Sequence, residues 1–125
     1  MISTRGSVSV GGLSANDEDL IVFDATSLGA DTSGTWSMYF DGSDVSLTES
    51  TEDVNGVWID SVTGEIYLTT TGSFAVGGLS GDKSDIFICA PISPGDNTSC
   101  TFSLFWDGST TDMAGERLDG IAIVN

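Results

Sequence analysis

Short apolar runs separated by polar and glycine-rich turns dominate the chain, and their period is two. Trp36, Met38 and Phe40 alternate with Ser37 and Tyr39 before Asp41-Gly42 closes the run. Phe102, Leu104 and Trp106 repeat the alternation up to Asp107-Gly108. Strict alternation of this kind predicts half-buried β-strands. Leu20–Phe23 and Ile86–Cys89 are continuous apolar runs, too short for helices, and predict more deeply buried strands. Val57-Trp-Ile59 runs through Asp60–Glu65 into Ile66–Thr71, which reads as a hairpin with Gly64 supplying a left-handed turn residue. Helical periodicity is hard to find. Thr111–Asp119 has room for one turn, but Gly115 interrupts it. The expected class is all-β.

The strands come in two matching sets. Gly6-Ser-Val-Ser-Val-Gly-Gly-Leu-Ser14 returns 66 residues later as Gly72-Ser-Phe-Ala-Val-Gly-Gly-Leu-Ser80. Between residues 6–45 and 72–111, 17 of 40 positions are identical, which sets chance aside. Further on the offset falls to 64, where Glu52–Ile59 matches Glu116–Ile123. Repeats of this length are supersecondary units that bury their faces against neighbours. The chain is therefore expected to be one domain over residues 1–125, with repeats at about 1–60 and 61–125. Each repeat has about four predicted strands: Val57–Ile59, Ile66–Val76, Asp85–Cys89 and Thr101–Trp106, with their counterparts. Gly11-Gly12 and Gly77-Gly78 are expected as bulges or bends after the second strand.

Four antiparallel strands per repeat is the plan of a β-propeller blade. The Val57–Leu68 hairpin resembles the first hairpin of many such blades. With Phe40-Asp-Gly-Ser43 and Trp106-Asp-Gly-Ser109, nearly the whole chain resembles acidic repeats of bacterial surface and secreted proteins. It departs from WD40 repeats, because there is no Gly-His pair and Trp106-Asp107 runs into a glycine turn. The resemblance implies two four-stranded propeller-type blades and brings no catalytic residues. A β-sandwich is the alternative.

The repeat offsets align Met1 with Tyr67 and Asn125 with Ser61. The expected strand order is then second-third-fourth, first-second-third-fourth, first. Unpaired strands would expose open edges. The economical expectation is that Leu118–Val124 of one chain pairs with Ile2–Val10 of another. Leu118, Ile121 and Ile123 would meet Ile2, Val8 and Val10, head to tail. Closure gives a ring of about four, six or eight blades, and non-closure a filament. The rival reading is a piece of a longer repeat array.

Charge narrows the functional classes. There are 19 acidic and 3 basic residues and a net charge of −16. Nothing neutralises phosphates, so nucleic-acid binding is excluded and anionic membranes would repel the chain. No apolar run approaches the ~20 residues of a membrane span, and the N-terminal residues lack signal-peptide character. Cys89 and Cys100 flank one turn, and both are absent from the first repeat, where Phe23 and Gly34 stand. Their joint presence favours a disulfide over two unpaired thiols. A disulfide places the protein outside the cell or on its surface.

Candidate chemistry is sparse. Histidine is absent, which excludes a Ser-His-Asp triad and His-ligated zinc. No glycine-rich phosphate loop with lysine occurs, and no enzyme is expected. Asp17 and Asp19 in one loop, with Asp82 and Asp85 in the equivalent loop, are candidate Ca²⁺ ligands. Asp and Gly are also the ordinary residues of tight turns. Trp58, Tyr67, Tyr39 and Phe105 are candidates for stacking on a glycan, with core packing as the plainer use. The expected function is a non-catalytic, self-assembling structural or interaction module. The alternative is a Ca²⁺-assisted carbohydrate-binding module.

Overall fold

The computed structural model describes residues 1–124. The fold is all-β. Ten strands run as β1 (Val8–Val10), β2 (Leu13–Ala15), β3 (Leu20–Ser27), β4 (Ser33–Phe40), β5 (Val54–Ile59), β6 (Ile66–Thr70), β7 (Phe74–Val76), β8 (Leu79–Gly81), β9 (Ile86–Ser93) and β10 (Ser99–Trp106). Short 3-10 turns follow β4 at Ser43–Val45 and β10 at Gly108–Thr111. Each 3-10 turn ends on a left-handed residue, Ser46 or Asp112.

The second repeat forms one antiparallel sheet in the order β10-β9-β6-β5. This is the predicted order of four consecutive strands. Its register pairs Trp58 with Tyr67, Tyr67 with Ile88, and Cys89 with Phe102. The edge strand β5 comes from the end of the first repeat's sequence, so the sheet spans the sequence boundary between repeats.

Two expectations need correction. The double glycines are two-residue hairpin turns, not bulges. Gly11 and Gly12 have φ of +55° and +83°, and Gly77 and Gly78 have +52° and +83°. Two successive positive φ values make the turn that matches strand twist, and they favour glycine. Consequently β7 pairs with β8 and β1 with β2, each as a separate hairpin. The strand expected over Ile66–Val76 breaks after Thr70, and that expected over Ile2–Val10 breaks likewise. Val8 and Val10 thus have β2 as their ladder partner. What remains of the earlier part is a single bridge, Ile2 with Ile21. It is the 66-residue counterpart of Leu68 with Phe87. β6 is held on both sides, by β5 and β9, whereas the segment around Ile2 is held on one.

The core lies largely between the repeats. Leu20, Phe40, Val45 and Leu47 of the first cluster with Leu68, Phe74, Val76 and Phe87 of the second, and Val54 joins them. Phe74 stacks on Phe87 with ring centroids 4.1 Å apart. Cys89 and Cys100 are joined by a disulfide, with Cα atoms 5.2 Å apart.

Candidate functional site

The acidic loops that carry the candidate Ca²⁺ ligands latch backbone turns together. Asp19 accepts from Asn16 N–H at 2.7 Å and from Gly42 N–H at 2.9 Å. Asp85 accepts from Asp82 N–H at 2.9 Å and from Gly108 N–H at 3.1 Å. Each buried carboxylate thus ties the start of one hairpin strand to the exit of the next. Gly42 and Gly108 are needed for this closeness: a Cβ on Gly42 would meet Glu18 O at 2.5 Å, and one on Gly108 would meet Ser84 O. The Asp82 carboxylate accepts from both Ser84 N–H and Ser84 Oγ–H, which lowers its pKa. Asp17 contributes its backbone carbonyl, which accepts from Val54 N–H at 3.0 Å. Among the described residues, no group of three or more His, Cys, Asp or Glu side chains is placed to hold a metal ion.

Acid crowding is strongest in the first repeat. Burial pushes the Asp19 carboxyl up, and the charges of Asp41 and Asp17 add to it. Burial also raises Glu18, helped by Asp19 and Asp17, and raises Asp53, helped by Asp17. Two of the chain's three basic side chains, Arg5 and Arg117, line one cleft with Asp53, Asn55 and Thr71.

The aromatics expected as glycan candidates pack mostly on each other. Trp58 meets Tyr67 edge-on at 5.1 Å, and Tyr67 meets Phe105 edge-on at 4.9 Å. Tyr67 is buried, and Tyr39 packs against the core cluster.

The most developed geometry is the junction between the repeats. On its inner side, Thr71 N–H donates to Asp53 O at 3.0 Å and Gly72 N–H to Thr51 O at 2.7 Å. The buried Glu52 carboxylate accepts from Thr48 and Glu49 N–H and reaches across to Ala75 N–H at 3.0 Å. On the outer side, the β9–β10 loop reaches back to the exit of β4. Gly95 N–H donates to Tyr39 O, Asp41 N–H to Thr98 Oγ1, and Thr98 N–H to Asp44 Oδ2, each at 2.8 Å.

The residues expected at an assembly interface are the repeat counterparts of this junction. Ile2 is 44% exposed, whereas its counterpart Leu68 is fully buried. Val8 and Val10 are half-buried, and their counterparts Phe74 and Val76 are buried. At the other end, Leu118, Trp106 and Met113 are half-buried, and their counterparts Val54, Phe40 and Leu47 are buried. Ile121 and Ile123 are half-buried beside Ile86 and Trp106, with no ladder partner among the described residues. Leu118 is nonetheless positioned. Its N–H donates to Lys83 O at 3.0 Å, the counterpart of Val54 N–H on Asp17 O, and its carbonyl accepts from Asn55 Nδ2 and Thr69 Oγ1.

Glycines report the same asymmetry. A Cβ on Gly72 would strike the Thr51 side chain, whereas one on its counterpart Gly6 would meet nothing. Alternation of apolar residues did not reveal Glu52, Asn55, Asp44, Gly95 or Thr98 as junction residues. For Gly95 and Thr98 a signal existed: both are identical to their counterparts Gly29 and Thr32 in a loop that is otherwise free to vary. No known protein family, curated protein or solved structure matches the chain.

Proposed function

We propose that this chain is a non-catalytic, self-assembling β-propeller module with a structural or interaction role outside the cell or on its surface. One observation carries the reading: apolar positions buried at the junction between the repeats recur, still apolar, on two open faces of the chain. A second copy stacked head to tail would cover both faces as the repeats cover each other. By the register of β5 with β6, Gly120 would meet Ser3, Ile121 would meet Ile2, and Ala122 would meet Met1 of the next copy. Whether copies close into a ring of about four, six or eight blades or grow as a filament depends on the rotation per copy.

The disulfide supports an oxidising compartment. No helix among the described residues is long and apolar enough to cross a membrane. The high negative charge keeps such assemblies from associating indiscriminately and makes their formation salt-dependent.

The test is Ala122→Pro. Ile2 exchanges both of its backbone hydrogen bonds with Ile21, so the neighbouring residues of its strand present theirs to the opposite side. In the stacked copies Ala122 N–H supplies a ladder bond, and proline removes it. Sedimentation should show oligomers for the wild-type chain and single copies for the variant. Equal masses for the two would count against the reading.

A further inference from the structure

The outer part of the junction has a second, unfilled copy of itself on the molecule. In the filled copy, the loop after β9 is shaped by Thr98 Oγ1–H donating to Gly95 O at 2.7 Å, with Gly95 at a φ of +88°. Thr98 is buried there, and Gly95 and Asp96 line a groove with Gly11, Gly12 and Trp36–Met38. The loop after β3 has the same shape. Thr32 Oγ1–H donates to Gly29 O at 2.7 Å, and Gly29 has a φ of +98°. Yet Thr32 is exposed, Leu28 next to Gly29 is 77% exposed, and a Cβ on Gly29 would meet nothing within 4 Å among the described residues.

The receiving side is duplicated too. In the filled copy, Asp41 Oδ1 accepts from Ser43 N–H at 3.1 Å and Ser43 Oγ–H at 2.6 Å, fixing the turn whose Asp41 N–H donates to Thr98. In the second repeat, Asp107 Oδ1 accepts from Ser109 N–H at 3.0 Å and Ser109 Oγ–H at 2.5 Å. Phe105, the counterpart of Tyr39, is 45% exposed there.

We infer that the Gly29–Thr32 loop of one copy is an outer clamp that docks on the Phe105–Thr110 turn of a second copy. This rests on the head-to-tail reading and adds a second contact, carried on a different edge from the ladder of Gly120–Ala122 with Met1–Ser3. By the internal template, Gly29 N–H donates to Phe105 O, Asp107 N–H donates to Thr32 Oγ1, and Thr32 N–H donates to Thr110 Oγ1. The last bond differs in kind. Asp44 gives Thr98 N–H a carboxylate, and Thr110 offers a hydroxyl whose own hydrogen is already committed to Asp107 O. A neutral acceptor makes the clamp between copies weaker than the one within a copy. The contact between copies is then the joint at which the assembly opens.

Residue-resolved hydrogen exchange of the wild-type chain, at dilute and at assembling concentrations, tests this. Gly29, Thr32 and Asp107 amides should become protected on assembly together with Ser3 and Ala122. Protection of Ser3 and Ala122 without Gly29, Thr32 and Asp107 would overturn the clamp and leave head-to-tail stacking intact. Single copies at every concentration, with none of these amides gaining protection, would overturn both. Thr32→Val, which keeps the side chain's outline and deletes both its acceptor and its own bond to Gly29 O, should weaken association about five- to tenfold. An unchanged association constant for that variant would also overturn the clamp.

Discussion

The two long hairpins, β3–β4 and β9–β10, have the same length and the same register but different braces. Leu20 pairs with Phe40 and Ile21 with Met38, as Ile86 pairs with Trp106 and Phe87 with Leu104. Both hairpins carry register shifts at the same two places. Near the loop end, the second hairpin is closed by the Cys89–Cys100 bond. At the same diagonal the first has Phe23 and Gly34. The Phe23 ring lies over Gly34, where a Cβ would come within 2.7 Å of it, and the ring also packs on Trp36 at 4.8 Å. A covalent bond and an aromatic ring over a glycine thus do the same geometric task. Alternation, bulges and turn residues set the hairpin, and the brace is exchangeable.

The Asp19 and Asp85 latches are, by contrast, held in common, so breaking them should have the largest effect. Asp85→Ala leaves the buried Gly108 N–H and the half-buried Asp82 N–H without their acceptor and should cost about 2–4 kcal/mol. Asp19→Ala should cost less, because burial beside the charges of Asp17 and Asp41 already penalises the carboxylate there. Urea denaturation of the two variants measures the difference. Equal losses would mean that the crowding of acids in the first repeat has no energetic consequence.

Next in size is the brace. Removing the disulfide with Cys89→Ser and Cys100→Ser should cost about 2–3 kcal/mol, the loop-closure value for a segment this short. Replacing it with the first repeat's solution, Cys89→Phe and Cys100→Gly, should recover part of that loss. A swapped variant no more stable than the double serine variant would show that the two braces are not equivalent.

The smallest expected effect is on pH dependence. The raised pKa values of Asp19, Glu18 and Asp53 mean that protons bind the folded chain more tightly than the unfolded one at these sites. Their contribution to stability is present in acid and is lost as pH rises through the raised values. Asp82 has the opposite sign: its lowered pKa gives stability above the ordinary aspartate range, which is lost as pH falls through the lowered value. Thermal melts should therefore show a modest rise in Tm as pH falls through the raised carboxyl values, followed by a fall below the ordinary aspartate range as Asp82 takes up its proton. Glu18→Gln should flatten the rise. A variant that melts with the wild-type pH profile would remove Glu18 from the account.

Much of this was legible in the chain. The period-two apolar pattern and the repeat gave the all-β class, the hairpins and the order of the four strands in the second sheet. The absence of both cysteines from the first repeat pointed to the bond between them. The double glycines were legible as bulges or bends and not as hairpin turns, because a bulge and a two-residue turn make the same demand for positive φ, and only pairing on both sides distinguishes them. The latches were hidden for a similar reason. An aspartate that caps a backbone turn and one that binds a cation occur in the same short acidic loops, and the difference lies in where the N–H groups of Gly42 and Gly108 point. The contact of the β9–β10 loop within the chain depends on Gly95 and Thr98, which lie far in sequence from the Tyr39–Asp44 turn they touch. Periodicity carries no information about such contacts.

The central claim is that the two open apolar faces of the chain fit each other across copies. Sedimentation equilibrium of the wild-type chain over a range of concentrations and salt tests it most directly. The average mass should climb from that of the single chain toward that of the assembly as concentration rises and as added salt screens the repulsion between acidic surfaces. A folded single chain at every concentration and salt would contradict it.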